Sequence, residues 1–161
     1  MANYIMDLRK LVGKTPLMQC GASVIVENDR GEVLLALRAD TKDWAYVGGA
    51  VELYERVEDA AARELLEESG LVAEELTLLG VYSGEAMRLT YPNGDPVSNV
   101  DVVFVCRRYH GTLHPQEGEV LQLRFFPIDA LPTPIFSCSQ PALLDYVNLR
   151  RGEHKQGRTM G

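Results

Sequence analysis

The stretch from Gly48 to Leu71, GGAVELYERVEDAAARELLEESGL, does most to limit how this chain can fold. Residues 57–69 contain neither glycine nor proline and are rich in alanine and glutamate, which predicts a helix. Gly70 stands where a helix closes on a left-handed residue. Glu64, Glu67 and Glu68 fall at i, i+3 and i+4 and therefore share one face. Val57, Ala61 and Leu65 can pack inward. Like charges at this spacing cost about 0.2–0.5 kcal/mol per pair. Such a face is either simply solvated or used, and an oxygen-rich cluster suits a hard cation such as Mg²⁺ or Mn²⁺.

The rest of the chain reads as strands with single helices inserted. Residues 20–27 and 32–38 are rich in Val, Ile and Leu, and Asn28-Asp29-Arg30-Gly31 between them is turn chemistry, which predicts a hairpin. Trp44 to Val47 reads as a short strand ending at Gly48-Gly49. Strands are expected at 76–82, 87–91, 97–109 and 121–128, with Asn93-Gly94 turning the middle pair. A last helix opens near Pro141. Residues 3–12 form a short helix or an extended arm, and the tail 152–161 lacks apolar periodicity. This alternation predicts an α/β chain with a mixed sheet between helices.

Composition bounds the function. The chain has 161 residues, the size of one domain, and a core is available without staples. The net charge is −7, against the basic surplus of a nucleic-acid binder, so no nucleic-acid partner is expected. No apolar run approaches the length of a membrane span, and the start, MANYIMDLRK, lacks the apolar stretch of a secretion signal. Cys20, Cys106 and Cys138 are widely spaced, which fits reduced thiols in a cytoplasm. Gly13-Lys14-Thr15 imitates the end of a phosphate-binding loop, but Leu8 stands where that loop needs its first glycine.

The spacing from Gly49 to Leu71 satisfies G-x5-E-x7-R-E-U-x-E-E-x-G-U at every specified position, where U is a bulky aliphatic. The segment resembles the signature of the Nudix hydrolases, and the likeness extends more loosely over residues 20–131. The resemblance implies an α/β/α sandwich and metal-dependent hydrolysis of a nucleoside diphosphate linked to another moiety. By the same resemblance Glu67 and Glu68 are the main ligands of Mg²⁺ or Mn²⁺, and Glu64 is a further ligand or orients the attacking water. The Gly48 carbonyl is a backbone ligand. Gly49, and a pairing of Glu55 with Arg63, support the loop against the helix. A distal carboxylate is expected to take a proton; Glu119 is the candidate and Glu117 its rival. Arg38, at a strand end, is expected to meet the substrate phosphates.

Two positions depart from the family pattern: Val47 replaces a proline before the glycines, and Tyr54 replaces a glycine before Glu55. Either a narrowed loop or an altered backbone is expected at Tyr54. Residues 86–89 carry neither the proline nor the tyrosine that marks two of the family's substrate classes. A nucleotide sugar, ADP-ribose and a nucleoside triphosphate therefore all stay open. Asn99 and Asp101 either line the pocket or face solvent. A nucleotide-sensing module without catalysis, and a prenyl-diphosphate isomerase needing a pocket cysteine, are the alternatives. The apolar residues of the N-terminal arm, 1–19, predict a homodimer.

Overall fold

The computed structural model describes residues 4–152. The expected tail therefore lies, past Gly152, outside the described residues. Three helices, α1 (Tyr4–Val12), α2 (Val57–Ser69) and α3 (Gln140–Arg150), are set among eight strands. The strands are β1 (Leu17–Val26), β2 (Glu32–Arg38), β3 (Trp44–Ala45), β4 (Val47–Ala50), β5 (Leu71–Tyr82), β6 (Arg88–Thr90), β7 (Pro96–Gly111) and β8 (Val120–Pro127). None of the helices among the described residues is long and apolar enough to cross a membrane.

The mixed sheet runs β4-β1-β7-β5, with β6 also paired to β7. Its spine is the parallel pairing of β1 with β7, from Leu17 opposite Val97 to Val26 opposite Cys106. A second, antiparallel sheet runs β3-β2-β8. Side chains of both sheets alternate between two cores, because successive strand residues point to opposite faces. On one side α2 packs Ala60, Ala61 and Leu65 with Val24, Leu34 and Phe104. On the other, α3 packs Ala142, Leu143 and Tyr146 with Ile25, Leu35 and Val103. The result is the expected α/β/α sandwich, with a second sheet that the sequence pattern did not separate from the first.

Two strand ends differ from the expected ones. The strand after Trp44 does not stop at the glycines: β4 runs through them, pairing Gly48 with Ser23 and Gly49 with Ala22. Missing side chains make this approach possible, since a Cβ on Gly48 would overlap Ser23. β5 begins at Leu71 rather than near residue 76, directly after Gly70 closes α2 in the left-handed region at φ 76°. Its exposed Glu74 and Glu75 and the register shifts against β7 hide its periodicity.

Candidate active site

α2 ends against β4, so the two glycines of the strand meet the glutamates of the helix. Glu68 Oε2 accepts the Gly48 N–H at 3.0 Å. A Cβ on Gly49 would lie 2.5 Å from the Glu64 carboxylate, so only glycine leaves that carboxylate room.

The loop between β4 and α2 is tied down by Arg63. Its guanidinium forks onto Glu55, with Nε to Oε1 at 2.7 Å and Nη2 to Oε2 at 2.9 Å. Nη2 also donates to the Ala50 carbonyl at 3.1 Å. Nη1 reaches Glu64 at 2.7 Å and Glu67 at 3.4 Å. The Glu55 carboxylate in addition accepts the Glu52 N–H. The hydrogen bonds from Arg63 hold its pKa below the ordinary value. Tyr54 does not narrow the loop: it is fully exposed, and its backbone takes a left-handed φ of 65°. That conformation is one that glycine adopts without strain and a side chain rarely takes.

Glu64, Glu67, Glu68 and Glu119 line one cavity of about 560 Å³, together with Gly48, Gly49 and Arg38. Glu55 and Arg63 are not among the lining residues and sit behind this wall. Glu117 does not line it either. Arg38 is paired with Asp40 through two bonds of 2.9 and 2.7 Å and lies 4.3 Å over the Phe136 ring. Protein crowds the Glu68 carboxyl on most sides although part of the residue's surface stays accessible. Burial pushes its pKa up to about 8, with Glu64 and Glu119 adding to the shift and the Gly48 N–H and Arg38 opposing it. Burial also raises Glu64, against the pull of Arg63.

Three carboxylates lining one cavity are the donor type that suits a hard divalent cation. Among the described residues no three such side chains converge closely enough to cage one. The reason is visible: Glu64 and Glu67 lean on Arg63, and Glu68 leans on the Gly48 N–H. A cation binding here would draw the carboxylates off those partners.

Asn99 and Asp101 are both buried and border a smaller adjoining hollow of about 90 Å³. Asp101 accepts from Ser23 at 2.8 Å and from Tyr46 at 3.0 Å. Asn99 donates to the Met87 carbonyl at 3.2 Å and lies 3.6 Å from the Cys138 sulfur. Cys138 borders the same hollow, and burial pushes its thiol pKa up, so it stays protonated. Ser23 and Tyr46 were not singled out from the sequence. A lone acid within the apolar run 100–106 is the signal that could have found this network.

A family profile of the NUDIX domain matches residues 18–146. An ADP-ribose pyrophosphatase of Methanocaldococcus jannaschii is 33% identical over 132 residues, 80% of this chain and 72% of that one. An oxidized purine nucleoside triphosphate hydrolase of Mus musculus is 37% identical over 89 residues, 55% of this chain. The chain spans 52% of that relative's length. Among solved structures, a MutT NUDIX hydrolase from Burkholderia pseudomallei superposes with a TM-score of 0.69 at 29% identity, covering 80% of this chain and 97% of that one. The matched region carries the whole signature, and the chain belongs to the Nudix hydrolase family.

Two outcomes test this geometry. Arg63→Ala leaves three carboxylates without their donor and should lower unfolding stability by at least about 1.5 kcal/mol, read by denaturant titration; an unchanged midpoint contradicts the pairing role. Glu68 binds its proton more tightly folded than unfolded, because its pKa rises from 4.5 to about 8. Its contribution to stability is therefore full below the lower value and lost as pH climbs through the higher one. In metal-free buffer Glu68→Gln should leave the melting temperature nearly unchanged at about pH 5 and raise it at about pH 9. A variant that melts lower at both would contradict a buried, unfavourable charge.

Proposed function

We infer that this chain is a divalent-metal-dependent pyrophosphohydrolase acting on a nucleoside diphosphate linked to another moiety, a nucleotide sugar, ADP-ribose or a nucleoside triphosphate. The observation that carries the reading is the one cavity that Glu64, Glu67, Glu68 and Glu119 line together with Arg38. Negative charge so concentrated around a partly buried carboxyl favours uptake of a proton or a cation.

Glu67 and Glu68 are the main ligands of Mg²⁺ or Mn²⁺ in this reading, with Glu64 and the Gly48 carbonyl beside them. The chemistry such an ion supplies when bound is neutralisation of phosphate charge and acidification of water. Glu119, exposed on the loop before β8 and lining the same cavity, takes the proton of the attacking water. Arg38 meets a phosphate oxygen; Asp40 and the Phe136 ring hold its guanidinium oriented for that contact. Gly49 leaves the Glu64 carboxylate its room, and Gly48 lets β4 lie close to Ser23. The three cysteines are all free thiols, which supports a cytoplasmic setting. Leu11 and Met18, 82% and 73% exposed on the N-terminal arm, support pairing with a second copy.

The test is a nucleotide panel with Mg²⁺, following release of phosphate, pyrophosphate and nucleoside monophosphate. EDTA should abolish turnover and Mg²⁺ or Mn²⁺ restore it. Glu68→Gln should lower kcat at least about 10²-fold, some 2.7 kcal/mol of barrier. Full turnover without metal, or a folded Glu68→Gln protein of ordinary rate, overturns the reading.

A further inference from the structure

Helix α1 lies before the region matched by the family profile, yet it borders the same cavity as the glutamates. Ile5 and Met6 line that cavity from one side. Beside them stand Tyr91 and Pro92, from the turn that joins β6 to β7. Arm and turn are locked together. Arg9, buried, donates from Nη1 to the carbonyls of Gly13 at 2.9 Å and Thr15 at 2.7 Å, and from Nη2 to that of Pro96 at 3.0 Å. Lys14 reaches Asp95 at 2.7 Å and the Asn93 carbonyl at 2.8 Å. Asn93 in turn donates to the Asp95 carboxylate and accepts the Asp95 N–H. The turn itself closes through Tyr91 N–H to the Asp95 carbonyl and Gly94 N–H to the Tyr91 carbonyl.

This network decides what the wall can recognise. Arg9 Nη1 and Nη2, Asn93 and Asp95 spend their hydrogen bonds on the backbone, on one another and on Lys14, and Arg9 Nε lies 3.8 Å from the Asp95 carboxylate. A sugar, which needs several free donors and acceptors, finds those groups engaged. Ile5, Met6, Tyr91 and Pro92 offer instead an apolar and aromatic surface to the cavity, suited to a flat, weakly hydrated ring. Tyr91 also borders the smaller hollow floored by Asn99 and Asp101.

We propose that α1 and the 91–96 turn form the nucleobase wall of the substrate cavity, with Ile5, Met6 and Tyr91 covering the base and Arg9 as the positioning residue that fixes the wall. The proposal rests on the reading of the site as one for nucleotides. It makes the arm a specificity element of this chain rather than a part of the shared frame. Binding energy from such a wall is felt in both ground and transition states, so its loss appears in KM.

Two experiments on the full chain test it. In hydrogen exchange with Mg²⁺ present, AMP, GMP, CMP and UMP are compared with ribose 5-phosphate, which keeps sugar and phosphate and lacks the base. At least one nucleotide should slow exchange in residues 4–12 and 91–96 by threefold or more, while ribose 5-phosphate leaves it unchanged; equal protection by both, or none by any, overturns the proposal. The double variant Ile5→Ala, Met6→Ala should raise KM for the best nucleotide substrate about tenfold, with kcat within about threefold. Arg9→Gln should move KM in the same direction. An unchanged KM in the double variant, or a loss confined to kcat, overturns the proposal. A wild-type protein that hydrolyses no nucleotide defeats the functional reading instead, and the exchange comparison still decides the wall.

Discussion

Arg63 joins loop, strand and helix through one guanidinium. It holds Glu55 from the loop, the Ala50 carbonyl from β4 and two glutamates of its own helix. A lysine could not replace it, because an ammonium has no planar fork with which to grip a carboxylate through two parallel bonds. Arg63 is only 21% exposed, so these bonds are less screened than those of a surface ion pair. The loop closes in the space this grip leaves, and Tyr54 takes its left-handed backbone there, with its side chain in solvent. The position of the acidic face relative to the two glycines follows from that closure.

The cavity that results is short of positive charge. Arg63 sits behind the wall and is occupied; Arg38 is tethered to Asp40. Glu68 therefore faces Glu64 and Glu119 with only a backbone N–H and the more distant Arg38 in its favour. This imbalance raises the proton affinity of Glu68, and it agrees with the acidic balance of the whole chain. The opposite wall has a different chemistry. There Arg9 and Lys14 pair with Asp95, and Ile5, Met6, Tyr91 and Pro92 line the cavity beside them.

Much of this was legible in residue order. The limits of α2 coincide with the stretch free of glycine and proline, and Gly70 closes it because a left-handed residue is needed there. The family followed from the spacing of Gly49, Glu55, Arg63 and the three glutamates, and the pairing of Glu55 with Arg63 is present as expected. What periodicity could not show was contact between distant segments. Gly48 and Gly49 read as a strand's end; they are the strand's middle, because Ser23 and Glu64 crowd them from elsewhere in the chain. Asp101 could not be assigned to pocket or solvent without its partners Ser23 and Tyr46, which lie 78 and 55 residues away. The N-terminal arm showed only its apolar content, and the clamp that fixes it depends on a turn some eighty residues later.

Proton release on metal binding tests the central claim, that the acidic face is a cation site holding a proton in the cation's place. Calorimetric titration of the metal-free protein with Mg²⁺ or Mn²⁺ at pH 7, repeated in buffers of different ionisation enthalpy, counts protons displaced per ion bound. With the Glu68 carboxyl pushed up to about 8, the account predicts roughly one proton released per chain, falling toward zero above about pH 9. Binding with no proton release at pH 7, or no binding at all, would contradict it.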